Sequence, residues 1–105
     1  MNTYVSKLFN LEGKVAVVTG AGGYLCSEMV RGFARAGCTV AALDLRFEKV
    51  LSVANELKSD GFDQVLPYAI DVAKKDQHIS ALEAILEKLG RIDILVNGAG
   101  INGPT

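Results

Sequence analysis

The sequence is short of the features that would place a protein in a membrane, on a nucleic acid or in a disulfide-rich scaffold. Its longest apolar runs, such as residues 15–18, fall far below the roughly 18 residues that a spanning helix needs. The formal net charge of −1 favours neither a nucleic acid nor a membrane surface as partner. The two cysteines, Cys26 and Cys38, have no C-x-x-C spacing, and we expect buried free thiols.

We also expect no secretory signal, because residues 1–11 mix polar and apolar residues without a basic start. We therefore expect a cytoplasmic location. Of the 105 residues, 50% are hydrophobic and 22% are charged, which fits one globular domain over residues 1–105. The single histidine, His78, stands beside Asp76 and Gln77 and is expected to be a solvated helix residue.

What is present is an alternation of short apolar runs and longer periodic segments. The runs predict buried strands at 14–19, 38–43, 65–70 and 92–96. Between them, apolar residues recur every three or four positions, which predicts helices that end near Gly37, Gly61 and Gly90. The residues expected to face inward from these helices are Leu25, Met29, Val30, Phe33, Ala34, Phe47, Val50, Leu51, Ala54, Leu57, Ile79, Leu82, Ile85, Leu86 and Leu89.

This alternation predicts an α/β fold with a doubly wound parallel sheet and helices on both faces. Pro67 lies inside the third strand, where it removes a hydrogen-bond donor, and is tolerated chiefly at a sheet edge. A strand order of 3-2-1-4 places it there, although a strand bulge would explain Pro67 equally well.

The chemistry-bearing residues begin with a glycine cluster, Gly20, Gly22 and Gly23, between the first strand and the first helix. Such a turn lets backbone N–H groups approach a pyrophosphate at a helix N-terminus, although it is also found as a plain tight connection. Asp44 closes the second strand, where a carboxylate can accept both ribose hydroxyls of an adenosine. A carboxylate repels a 2′-phosphate, so the Rossmann-like pattern predicts NAD rather than NADP. Arg46 nearby could soften that preference.

Four stretches together resemble the short-chain dehydrogenases/reductases. They are L-E-G-K-V-A-V-V-T-G at 11–20, D-V at 71–72, I-D-I-L-V-N at 92–97 and N-G-A-G at 97–100. The resemblance implies an NAD-dependent oxidoreductase that moves hydride between the cofactor and a hydroxyl or carbonyl of a small molecule. It also implies a homo-oligomer at full length.

The resemblance also implies roles for single residues. The pyrophosphate and ribose would be lined by Gly20, Gly22, Gly23, Tyr24 and Leu25, and Asp44 would hold the adenosine ribose. Asp71 and Val72 would flank adenine. The nicotinamide-side ribose would be bordered by Asn97, Ala99 and Gly100, with Asn97 alternatively tying the fourth strand to a neighbour.

The glycine turn departs from the pattern T-G-x-x-x-G-x-G, because Tyr24 and Cys26 stand at its later glycine positions. Cys26 is expected to push the helix slightly outward. The stretch also fits the spacing of an extended, epimerase-like branch, against which the N-G-A-G stretch argues. The turn and the N-G-A-G-x-N-x-P stretch at 97–104 resemble sugar-acid reductases that act on fructuronate or mannonate.

The family's catalytic Ser and Tyr-x-x-x-Lys pair cannot be assigned, since Tyr4, Tyr24 and Tyr68 each lack a lysine four residues later. We therefore expect a truncated chain that supplies the cofactor-binding half only. The alternatives are a catalytically inactive nucleotide-binding module and an unrelated flavodoxin-like receiver.

Overall fold

The computed structural model describes residues 10–71 and 73–98. Strands and helices alternate through this part of the chain: β1 Val15–Thr19, α1 Tyr24–Arg35, β2 Thr39–Asp44, α2 Phe47–Ser59, β3 Val65–Ala69, α3 Lys75–Leu89 and β4 Ile94–Asn97. The strands form one parallel sheet in the order β3-β2-β1-β4. The predicted α/β class and the strand order 3-2-1-4 are therefore confirmed.

The sheet is covered on both faces, and the strand alternation decides which side chain goes where. Ala16 and Val18 of β1 point into a core that they share with α1 and α2. Val17, between them, points to the opposite face, where it packs with Ile85 of α3. The predicted placement of helices on both faces is thus confirmed. Cys26 and Cys38 are buried free thiols, as expected.

Pro67 lies in β3, which is an edge of the four-stranded sheet, opposite Ala42 of β2. Its missing N–H therefore costs no hydrogen bond on the outer side of the strand. Gly37 follows the α1 cap residue Ala36 with φ of 103°, so this predicted helix end is also correct.

The inward faces of the helices are narrower than the periodicity predicted. Six residues expected to face inward are 36 to 59% exposed: Leu25, Met29, Phe47, Leu51, Ile79 and Leu86. The stripe that α1 buries is Cys26, Ser27, Val30 and Ala34. In α3 only Ile85 is fully enclosed, because within the described residues this helix covers its face of the sheet alone. Among the described helices, none has the length and apolar character to cross a membrane.

Asp93 ties the start of β4 to the start of β1. Its Oδ2 accepts a hydrogen bond from the Val15 N–H at 2.8 Å, and Arg91 donates to both carboxylate oxygens at 2.8 and 2.7 Å. The Asp93 N–H in turn donates to the Val15 carbonyl. The first parallel pair between β1 and β4 joins Ala16 to Ile94, after these contacts. The strand β4 therefore begins at Ile94, two residues later than predicted.

The Arg91 guanidinium, and then the Val15 N–H, hold the pKa of Asp93 below its ordinary value of 3.8. A lowered folded-state pKa means that the stabilising contribution is complete above pH 3.8 and is lost as the pH falls through the folded value. We expect Asp93→Asn to lower the free energy of unfolding at neutral pH, with the difference from wild type shrinking in acid. Urea unfolding across pH measures this, with the exposed Asp63→Asn as control. A difference that does not change with pH would contradict the assignment.

Candidate functional site

The polar residues singled out in the sequence gather at the carboxyl edge of the sheet. The strand register sets Thr19 of β1 between Leu43 of β2 and Asn97 of β4. Asp44 is therefore one residue beyond the level of Thr19 on the neighbouring strand. This edge is where ligands bind in open parallel α/β sheets.

The glycine turn leads directly from β1 into α1. Gly20 has φ of 67°, in the left-handed region that favours glycine, and its carbonyl accepts the Gly23 N–H at 3.1 Å. The Ala21 N–H extends the contact with β2 by donating to the Leu43 carbonyl at 3.0 Å. The chain is thus folded back tightly before α1 begins at Tyr24.

Asp44 is in direct contact with this turn. The residue is 6% exposed, and its Oδ2 accepts the Gly22 N–H at 2.8 Å. Its Oδ1 accepts the Arg46 N–H at 2.8 Å and lies 3.5 Å from the Arg46 guanidinium. The structure therefore brings together the glycine turn and the carboxylate that the sequence placed 22 residues apart.

One glycine of the turn, Gly22, is also required by packing inside the protein. A Cβ at Gly22 would lie 2.8 Å from the Lys49 Cβ and 2.9 Å from the Asp44 Oδ2, so this glycine makes room for the protein's own packing. The N–H groups of Ala21, Gly22 and Gly23 are all bonded inside the chain. These three N–H groups are therefore not free for an anion, whereas those in the first turn of α1 are.

That first turn is open. Gly23 caps α1 without a side-chain hydrogen bond, and the first N–H groups of a helix have no intrahelical partner. Tyr24 and Leu25, at the helix start, are 86% and 59% exposed. The positive end of the helix dipole and these N–H groups favour an anion here.

At the end of β4, Thr19 joins two strands through its buried hydroxyl. The hydroxyl donates to the Asn97 Oδ1 at 3.0 Å and accepts the Gly98 N–H at 3.1 Å. Asn97 thus makes the structural tie that we had considered as its alternative role. Thr19 was not among the predicted site residues, although a hydroxyl at the end of a fully buried strand signals a required hydrogen-bond partner.

Asp71 shapes the connection from β3 into α3. Its Oδ1 accepts the Ala73 N–H at 3.0 Å, and its own N–H donates to the Gln77 Oε1 at 3.0 Å. These contacts form an Asx turn. Three other predicted site residues, Val72, Ala99 and Gly100, lie outside the described residues.

The family model of short chain dehydrogenases matches residues 14–105. The chain belongs to the short chain dehydrogenase family. The flavodoxin-like alternative is therefore excluded, and the chain is part of a family of oxidoreductases that bind nicotinamide cofactors.

Individual relatives agree with this assignment. The uncharacterized oxidoreductase YxjF of Bacillus subtilis is 45% identical over 89 residues, which are 84% of this chain and 34% of that protein. The structure of 2-keto-3-deoxy-D-gluconate dehydrogenase from Streptococcus agalactiae matches with a TM-score of 0.85 and 35% identity, covering 100% of this chain and 39% of that one. A structure described as a D-mannonate oxidoreductase, from Haemophilus influenza with bound NAD, matches with a TM-score of 0.81 and 36% identity. The match covers 95% of this chain and 35% of that one. The chain thus spans about a third of the length of these relatives.

The donor set at the sheet edge of this short chain dehydrogenase fits a nicotinamide dinucleotide. The uncapped start of α1 supplies N–H donors for a pyrophosphate, and the Asp44 carboxylate beside it has lone pairs left for hydroxyl groups.

His78 is half-buried in the first turn of α3 rather than fully solvated. No group of three or more His, Cys, Asp or Glu within residues 10–71 and 73–98 could hold a metal ion.

Proposed function

We propose that this chain is the cofactor-binding portion of an oxidoreductase that uses NAD(H) in preference to NADP(H). The observation that carries the proposal is the Asp44 carboxylate, buried and bonded to the glycine turn next to the open start of α1. The bound cofactor supplies hydride transfer, and the residues of this chain hold and orient it.

In this proposal the pyrophosphate lies at the first turn of α1, against the N–H groups of Tyr24 and Leu25. The turn of Gly20, Gly22 and Gly23 aims that helix at the ligand and holds Asp44 in place. The Asp44 carboxylate accepts the ribose hydroxyls of the adenosine. The family resemblance assigns the adenine flank to Asp71 and Val72, and the nicotinamide-side ribose to Asn97, Ala99 and Gly100.

Discrimination against NADP(H) follows from charge. A 2′-phosphate would stand beside a carboxylate that is 6% exposed, and like charges so placed repel strongly. Arg46 partly offsets the repulsion, because its guanidinium lies 3.5 Å from the Asp44 Oδ1 and is half exposed. The strength of the preference for NAD(H) therefore depends on whether the 2′-phosphate lies closer to the Asp44 carboxylate or to the Arg46 guanidinium.

We expect the full-length protein to bind NADH about ten-fold or more tightly than NADPH, on the scale of like-charge repulsion across a binding site. Titration by the fluorescence of the reduced nicotinamide measures both dissociation constants. Ionic strength serves as the control. The Kd for NADPH divided by the Kd for NADH should fall modestly as salt is added, because screening weakens the repulsion. Tighter binding of NADPH would refute the proposal.

For the substrate we propose a small sugar acid. Two structural neighbours carry names of this class, a 2-keto-3-deoxy-D-gluconate dehydrogenase and a D-mannonate oxidoreductase. Cofactor-coupled assays of the full-length protein with D-mannonate, 2-keto-3-deoxy-D-gluconate and a steroid alcohol separate this class from others in the family. Turnover of the steroid alone would overturn the substrate proposal and leave the cofactor proposal standing. We further propose a homo-oligomeric, cytoplasmic enzyme.

A further inference from the structure

Gly98 is buried immediately after β4, in a space that leaves no room for a side chain. A Cβ there would overlap the Sγ of Cys26 and would lie 2.8 Å from the Thr19 carbonyl oxygen. The Cβ of Cys26 would be 3.6 Å away, which is an ordinary contact. The conflict on the α1 side is therefore caused by one atom, the Cys26 sulfur.

The two residues belong to the two parts of the crevice. Cys26 lies in the first turn of α1, beside the N–H groups that face the proposed pyrophosphate. Gly98 follows Asn97, and its N–H is fixed to the Thr19 hydroxyl at 3.1 Å. Because Thr19 holds the Gly98 backbone on one side, the sulfur of Cys26 limits how closely the helix start can approach from the other.

We propose that Cys26 and Gly98 are a matched positioning pair that sets the spacing between the start of α1 and the end of β4. The inference rests on the proposed function, since those two elements would hold the pyrophosphate and the nicotinamide-side ribose of one dinucleotide. The sulfur acts by its size. Burial, and then the charge of Asp44, raise the pKa of the Cys26 thiol, so it stays protonated and unreactive.

The first test needs no cofactor. We expect Gly98→Ala to lower the midpoint of thermal unfolding of the full-length protein, because an overpacked core is strained. Cys26→Ala removes the overlapping sulfur but leaves the Thr19 carbonyl oxygen 2.8 Å from the new Cβ, so the double variant Cys26→Ala/Gly98→Ala should recover part of the loss. The matched control is Cys38→Ala/Gly98→Ala, which deletes the sulfur of the other buried cysteine and should recover nothing. Gly32→Ala, where a Cβ would meet no atom within 4 Å, should not lower the midpoint.

The second test separates positioning from folding. In folded Gly98→Ala protein we expect NADH to bind about ten-fold or more weakly, on the scale of an overpacked contact. ADP, which does not reach the end of β4, should bind within about three-fold of wild type by the same reasoning, because Asp44 and the start of α1 are intact. Cys26→Ala in the double variant should restore part of the NADH affinity, because the contact with the Thr19 carbonyl oxygen remains. A general loss of folded protein would weaken both ligands equally.

The two proposals fail in different ways. If wild type binds neither NADH nor NADPH, the proposed function is wrong. The unfolding midpoints of the single and double variants still report the contact between Cys26 and Gly98. If wild type binds NADH and the double variant is no better than Gly98→Ala in melting or in binding, the matched pair is overturned. Recovery by Cys38→Ala would overturn it as well.

Discussion

Asp44→Ala should weaken NADH binding by about 1–3 kcal/mol, roughly a 5-fold to 150-fold rise in Kd, because bound hydroxyls lose a charged partner. The effect has a second origin in this chain. The carboxylate also accepts the N–H groups of Gly22 and Arg46, so its removal leaves the glycine turn joined to β2 only by the hydrogen bond from the Ala21 N–H to the Leu43 carbonyl, among the described hydrogen bonds. Titration of the full-length variant with NADH measures the total loss of affinity, and titration with NADPH separates its two origins.

The two origins differ in their effect on cofactor preference. Loss of the turn weakens NADH and NADPH alike, whereas loss of the charge removes the repulsion of the 2′-phosphate and frees Arg46 from its ion pair. We therefore expect the preference for NADH to shrink or reverse in Asp44→Ala. In Asp44→Ala/Arg46→Ala, the relative gain for NADPH should be smaller than in Asp44→Ala, because only the part that comes from the freed Arg46 is lost.

Asp63→Ala is the matched control, because it deletes an exposed carboxylate away from the glycine turn. It should leave both constants within about two-fold of wild type, as distant surface substitutions do. An Asp44→Ala variant that binds NADH as wild type does would place the ribose elsewhere. An unchanged ratio of the two constants would restrict Asp44 to holding the turn.

The sequence was sufficient for the architecture because each relevant signal is local. Apolar runs separated by helix-period segments indicate a parallel sheet, and Pro67 in a strand indicates its edge. Asp44 could be placed near the glycine turn because both end neighbouring strands at the same edge. Periodicity, however, gives the direction of a buried face and not its width, so Leu25 and Ile79 were wrongly expected inside.

The details of the site depend on contacts between distant parts of the chain. Thr19 and Gly98 are 79 residues apart, and the close approach of Gly98 to Cys26 exists only once β4 lies beside β1. Likewise, sequence could not indicate that the Gly22 N–H is used by Asp44 and is therefore withheld from a ligand. Local patterns identified the residue types, whereas tertiary packing decided which donors remain free.

Thr19→Val should destabilise the protein by about 1–3 kcal/mol, because it leaves the buried Gly98 N–H without its hydrogen-bond partner. Valine has nearly the shape of threonine, so packing changes little and the hydroxyl is isolated as the cause. The Asn97 Oδ1 loses its donor as well. Urea unfolding of the full-length protein measures the loss.

Thr19→Ser provides the opposite change, since it keeps the hydroxyl and deletes a buried methyl group worth about 0.8 kcal/mol. If the hydroxyl tie between β1 and β4 dominates, serine is tolerated better than valine. If Thr19 acts only by filling space, the order reverses and valine is the milder change. Thr39→Val at the start of β2 is the matched control, because its hydroxyl makes no hydrogen bond within the described part of the chain. It should stay within about 0.5 kcal/mol of wild type, so a loss equal to that of Thr19→Val would assign the effect to valine itself.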